Sequence, residues 1–270
     1  VTSRVLRVVL LALPLLAAAG ARAEDGYELW LRYHPPSDPQ MLRTYRTSIT
    51  GVAMEGTSPT LRAARSELDR GLRGLLDVEV PSVPAVARDG VLVVGTPSRS
   101  SLVAGAGLEA DLGRVGEEGF VMRTMRIAGK RVTVIAANTD VGVLYGVFRF
   151  LQRLQARHAI EDLSIVEAPR VRLRVLDHWD NLNRTVERGY AGFSLWDWQK
   201  LPDYLDPRYT DYARANASIG INGTVLTNVN ANATSLTAEW LGKAAALADV
   251  FRPYGIRVYL TARFSAPIEI

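Results

Sequence analysis

Three short stretches carry the residues best able to do chemistry: Asp177-His178-Trp179-Asp180-Asn181, Thr227-Asn228-Val229-Asn230 and Arg263-Phe264-Ser265. Asp177, His178 and Asp180 can exchange protons, but a histidine flanked by acids specifies no reaction without a nucleophile or a fixed geometry. Their expected role is to position neighbours. Trp179 offers a flat apolar face with one N–H donor. Asn228 and Asn230 each donate and accept hydrogen bonds, and Arg263 supplies a cation. If residues 227–230 are strand, Asn228 and Asn230 face away from Val229, and the three share a pocket only where the strand has given way to loop. Glu187 and Arg188 read equally as a pair that orients the loop or touches a ligand and as a surface ion pair. Trp196 and Trp198, on either side of Asp197, read more readily as anchors of a long insertion than as stacking platforms.

Each of the three stretches follows a strand signal. Val171 to Leu176, Thr224 to Leu226 and Ile256 to Leu260 are strand candidates, separated by helical patterns at Pro207 to Ser218 and about Leu236 to Phe251. Strands alternating with helices argue for parallel pairing through crossovers. In a (β/α)8 barrel the carboxyl ends of the strands carry the substrate loops, and such a barrel needs ~250 residues. Only about 100 lie between Val171 and Ile270. The expectation is therefore an incomplete (β/α)8 TIM barrel over residues 169–270, holding its first three β/α units. An open doubly wound sheet competes for the same pattern, but no strand is followed by a Gly-x-Gly-x-x-Gly turn.

Residues 24–168 have a different organisation. Leu61, Ala64, Leu68, Leu72, Leu75 and Leu76 recur at helical spacing within Ser58 to Asp77, with Arg62, Arg65, Glu67, Asp69 and Arg73 on the other face. Val91 to Val94 is a short strand. Phe120 to Ile127 and Arg131 to Ala137 flank Ala128-Gly129-Lys130 as a hairpin. Val141 to Arg157 is a second helix, with Leu144, Val147, Phe148, Leu151 and Leu154 as its apolar stripe, and Leu163 to Val166 is one more strand. The expected class is α/β, with a small α+β domain over 24–168.

With 48% hydrophobic and 22% charged residues over 270 positions, wholesale disorder is excluded, and the absence of cysteine removes disulfides, thiolate metal sites and a cysteine nucleophile. His34, His158 and His178 are too far apart for a compact zinc signature. Arg4 and Arg7 precede an apolar run from Val8 to Ala19 that ends in Ala21-Arg22-Ala23, the order of a secretory signal peptide. Cleavage is expected after Ala23, with a secreted or periplasmic bacterial product and no membrane association afterwards. The net charge of +4 loses three of its 32 basic residues with that segment, leaving 29 against 28 acidic ones and no case for a nucleic-acid partner. The sequons at Asn183, Asn216, Asn222 and Asn232 are chance in such a product, and Asn222 is expected beside a buried strand.

The run from His178 to Gly192, continued by Ser194-Leu195-Trp196-Asp197-Trp198, closely resembles the α-glucuronidases of glycoside hydrolase family 67. So do Gly220 to Ala231 and Tyr254-Gly255-Ile256. Gly142-Val143-Leu144-Tyr145-Gly146, with the hairpin before it, is similar to the small domain preceding the barrel in these enzymes and in β-hexosaminidases. The resemblance covers essentially residues 24–270. It implies inverting removal of 4-O-methyl-D-glucuronic acid, α-1,2-linked to the terminal xylose of xylan-derived aldouronic acids, without metal or other cofactor. It also implies that the catalytic carboxylates come from later strands past Ile270, so that this chain alone is inactive, and that the full-length form dimerises through regions mostly outside it. Trp179 matches an aromatic of the sugar pocket and Val229 an apolar seat for the 4-O-methyl group. Asp180, Glu187, Arg188, Asn228, Asn230 and Arg263 complete the expected substrate contacts, Arg263 toward the uronate. A non-catalytic carbohydrate-binding or interaction protein with this half of the fold is the alternative.

Overall fold

Side-chain capping starts the helices at Pro39, Pro59, Asp140 and Pro207 in the computed structural model, which describes residues 24–269; the expected signal peptide lies outside them. Residues 24–32 belong to a separate small unit, a turn in which Arg32 pairs with Glu24 at 2.5 Å. The remainder begins with α1, Pro39–Ser48, and β1, Gly51–Met54. Ser58 then accepts from the Leu61 N–H and starts α2, Pro59–Leu76, which stops where Asp77 turns left-handed (φ 52°). β2, Val91–Gly95, is followed by the short helices α3, Ser101–Ala104, and α4, Glu109–Val115. β3, Phe120–Ile127, and β4, Lys130–Ala137, are joined by Ala128-Gly129, both with positive φ, the tight-hairpin geometry in which glycine is at ease. Thr139 caps α5, Asp140–Gln155, and β5, Ser164–Glu167, closes this part.

These strands form one sheet in the order β1-β2-β4-β3-β5, with β1, β2 and β4 parallel and β3 antiparallel to both β4 and β5. Side chains alternate across it. Val91, Val93, Val121, Val132 and Val134 pack with Val103, Leu108, Leu112 and Val115 around α3 and α4. The other face receives α5 and, against α5, α2. A Cβ at Gly146 would lie 2.7 Å from Ile135 Cγ2, so this glycine permits the close approach of α5 to the sheet. The outer edge of β1 is covered by residues 81–83, which bond to both backbone groups of Val52.

The second sheet is β6, Val175–Asp177, β7, Gly223–Val225, and β8, Arg257–Tyr259, all parallel in the order β6-β7-β8. α6, Pro207–Ser218, links the first pair and α7, Ala238–Phe251, the second; the short helix α8, Ala266–Glu269, follows. The first of these strands starts four residues later than the sequence pattern suggests. Val171 and Leu173 are exposed, and the carbonyls of Val171 and Arg172 accept from side chains, the first from Arg174 and the second from Arg174 and Asn222. That bonding keeps residues 171–174 out of the ladder.

Asn222 and Glu118 tie the two sheets together. Asn222 accepts from the Arg174 N–H at 2.9 Å and donates to Glu118 at 3.0 Å, while Arg174 pairs with the same carboxylate at 2.5 Å. Asn222 is buried and sits immediately before β7, the environment expected of it. Asn222→Ala leaves the Arg174 N–H and part of Glu118 without partners, and the expected loss is about 1–3 kcal/mol. Urea denaturation of the two chains checks it; an unchanged midpoint would contradict this account of the junction.

Candidate functional site

β6 does not end its pairing at Asp177. The His178 N–H donates to Val225 O at 3.1 Å and the Asn228 N–H to Asp180 O at 2.8 Å, so residues 178–180 run on beside 225–228. Trp179 lies between these bonds. Its carbonyl accepts from the Glu187 N–H at 2.8 Å and from Asn228 Nδ2 at 3.4 Å, while the indole is 46% exposed. The backbone around it is pinned and its ring faces solvent.

Asp180 is buried and accepts from Ser194 Oγ, which in turn accepts from the Trp196 N–H at 3.0 Å. Asn181 closes the turn beneath, donating to Thr185 Oγ1 at 2.9 Å and Glu187 O at 2.7 Å. Glu187, left-handed at φ 52°, accepts from Asn228 Nδ2 at 3.4 Å, and Arg184 anchors the loop on Asp197 at 2.8 Å. Trp179, Asp180, Glu187 and Asn228 are thus one hydrogen-bonded unit. Arg188 is outside it, 87% exposed and 3.6 Å from Glu187, the geometry of a surface ion pair.

β7 ends at Val225, and after Thr227 the chain turns. Asn228 Oδ1 accepts from the Asn230 N–H at 2.9 Å and Asn228 O from the Ala231 N–H at 2.8 Å, a side-chain-supported turn. The alternation argument therefore does not apply beyond Thr227. Asn228 is buried, whereas Val229, 40% exposed, and Asn230 stand out of the turn. Thr261 Oγ1 donates to the carbonyls of both Thr227 and Asn228 at 2.8 Å, extending the register of β7 and β8 past their ends. Arg263 is exposed, and its N–H donates to Ala231 O at 3.1 Å. The carboxyl ends of the three strands thus carry Trp179, Val229, Asn230 and Arg263 outward on a base made by Asp180, Glu187 and Asn228.

Trp196 and Trp198 are buried anchors. Trp196 packs on Tyr209, Tyr212 and Phe251, and edge-on to His178 with ring centroids 5.3 Å apart. A chain of contacts that the sequence reading did not single out runs from His178 Nε2 to Tyr212 Oη at 2.7 Å and on to Thr224 Oγ1 at 2.9 Å. The sequence signal for it is Tyr209 and Tyr212, three apart on one face of α6. Burial lowers the His178 imidazole, against the raising effect of Asp180 and Asp177, and pushes the Tyr212 phenol up to about 12. Both groups are neutral near pH 7, a pair suited to holding shape rather than moving protons. Below about pH 6.5 the unfolded chain protonates its histidine before the folded chain does, so this contribution to stability is present above that pH and lost as pH falls toward the folded value. Urea midpoints from about pH 7.5 to 5.5 should fall more steeply for the native chain than for His178→Gln; parallel profiles would contradict the assignment.

The description "Glycosyl hydrolase family 67 N-terminus" matches residues 29–150, and "Glycosyl hydrolase family 67 middle domain" matches residues 153–270. Alpha-glucuronidase A of Emericella nidulans is 35% identical over 275 residues, covering 95% of this chain and 30% of that protein. Probable alpha-glucuronidase A of Neosartorya fischeri is 35% identical over 258 residues, covering 94% and 30%. The chain thus spans about 30% of the length of these curated relatives. Among solved structures, a GH138 enzyme targeting pectin rhamnogalacturonan II superposes on 78% of this chain and 24% of its own with a TM-score of 0.51 at 15% identity, a likeness of fold. With both family descriptions matched in order over nearly all of its length, the chain belongs to glycoside hydrolase family 67.

Proposed function

We propose that this chain is the amino-terminal part of an exported α-glucuronidase that cleaves the α-1,2 bond of (4-O-methyl-)glucuronic acid in xylan-derived oligosaccharides with inversion. In this reading residues 24–168 are a hexosaminidase-like α+β domain and β6, β7 and β8 open a (β/α)8 barrel. The observation that carries it is the half-exposed Trp179 ring, on a pinned backbone at the carboxyl end of β6, with Val229 exposed in the turn that follows the adjacent parallel strand β7. An apolar ring face suits the C–H surface of a pyranose, and Val229 supplies a seat for an O-methyl group.

An inverting hydrolase needs an acid and a base about 6.5–9.5 Å apart across the sugar. Asp180 and Glu187 are not such a pair in this account, because both are engaged in supporting the loop, Asp180 by Ser194 and Glu187 by Asn228. Polypeptide outside residues 1–270 supplies the proton-handling carboxylates. The test is release of the uronic acid from aldouronic acids by the protein with its further barrel strands, with the anomer followed by NMR. Inverted product is expected, and retention would overturn the proposal. Trp179→Ala is expected to lower kcat/KM by about 2 kcal/mol, roughly thirtyfold, through lost sugar contact.

A further inference from the structure

Beyond their ends, β7 and β8 stay joined through two threonine hydroxyls. The Leu226 N–H donates to Tyr259 O at 3.0 Å, and at the next step side chains take over from the main chain. Thr227 Oγ1 accepts from the Thr261 N–H at 3.0 Å and donates to Thr261 O at 3.1 Å. Thr227 is fully buried, and its hydroxyl alone serves both main-chain groups of Thr261, which is enough to continue the ladder. The Thr261 hydroxyl reaches further. It lies 2.8 Å from Thr227 O and also 2.8 Å from Asn228 O, so it ends on the carbonyl of the Asn228–Val229 peptide.

A peptide group is planar, so a bond that fixes this carbonyl fixes the plane from which Val229 leaves. The other lone pair of Asn228 O takes the Ala231 N–H at 2.8 Å, and Asn228 Oδ1 takes the Asn230 N–H at 2.9 Å. Those two bonds lie inside the turn and give its shape. Its tilt is set from outside. Asn228 bonds to Asp180 O and Trp179 O on the side of β6, the Arg263 N–H holds Ala231 O, and Thr261 holds the peptide that carries Val229. Val229 itself is 40% exposed and has little packing to fix it.

We propose that Thr261 is a positioning residue: its hydroxyl aims Val229, and through Val229 it sets the preference for a 4-O-methylated over an unmethylated glucuronosyl group. Naming a methyl group rests on the proposed α-glucuronidase reading; the side chain that tunes its seat is read from the hydrogen bonds. One methyl group seated on an apolar surface is worth about fourfold.

The experiment compares kcat/KM for aldouronic acids of one length, with and without the 4-O-methyl group, using the protein with its further barrel strands. The unaltered protein is expected to favour the methylated substrate about fourfold. Thr261→Val keeps the shape and removes the hydroxyl, and it should bring the ratio close to one by lowering kcat/KM for the methylated substrate. Thr261→Ser restores the hydroxyl and should restore the ratio. A merely structural role would lower both substrates together. An equal loss on both, an unchanged ratio in Thr261→Val, a Thr261→Ser variant as impaired as Thr261→Val, or an unaltered protein indifferent to the methyl group overturns the role of Thr261 while the glycosidase reading stands. No hydrolysis of either substrate by the unaltered protein overturns both.

Discussion

Replacing Glu67 by alanine is expected to cost about 3–5 kcal/mol, because it leaves a charged guanidinium buried without its partner. Glu67 is 3% exposed in the middle of α2 and accepts from Arg214 Nε at 2.7 Å, Arg214 Nη2 at 2.9 Å and Tyr33 Oη at 2.6 Å. Arg214 comes from α6, so the cluster ties α2 to α6 and adds a second link, beside that of Glu118 and Asn222, between the elements of the first sheet and those of the second. Burial, then the Glu67 charge, hold the Tyr33 phenol well above its ordinary range. The contribution of the pair itself is a separate quantity. Changing both partners to apolar residues, Glu67→Leu with Arg214→Met, should recover most of the loss, since an intact buried pair roughly balances its own desolvation. Urea denaturation of wild type, both single variants and the double variant closes the cycle; a single-variant loss below about 1 kcal/mol would show that solvent reaches the cluster.

Trp196→Ala should cost a comparable amount, about 3–5 kcal/mol, by removing one of the two fully buried indoles of the second core. Its effect is not confined to packing. The main-chain N–H of residue 196, which alanine keeps, holds Ser194, Ser194 holds Asp180, and Asp180 O receives the Asn228 N–H, so the cavity opens at the root of the loop that presents Trp179 and loosens what those bonds are set on. Faster proteolysis between residues 182 and 205 should accompany the loss of stability. Trp196→Phe keeps an aromatic against Tyr212 and Phe251 and deletes a buried indole N–H that has no partner among the described residues. Its cost should stay below about 1.5 kcal/mol. Equal losses in the two variants would mean that ring packing at this position is not what matters.

Two long helices with a capping side chain at their start were legible from sequence: Ser58 and Asp77 bracket α2 as the apolar spacing suggests, and Pro207 to Ser218 is α6 to the residue; α1, capped by Asp38, was not read, because its apolar stripe is short. β1 was not legible. Gly51-Val52-Ala53-Met54 is short, nearly all buried and without alternation, and it becomes strand by pairing with β2, some 40 residues away. The late start of β6 follows from the side chains of Arg174 and Asn222, whose reach across nearly 50 residues leaves no local trace. At the site, the three strand ends were readable from position alone. That Asn228 folds its side chain back onto Asn230 was not, because one hydrogen bond decides between strand and turn there.

The proposed function requires that Trp179 and Val229 together receive the uronic acid. The most direct measurement is a crystal structure of the protein in complex with an aldouronic acid. The methylglucuronosyl ring is expected against the Trp179 indole with its methyl group on Val229. Electron density for that ring elsewhere, with both side chains still in solvent, would contradict it.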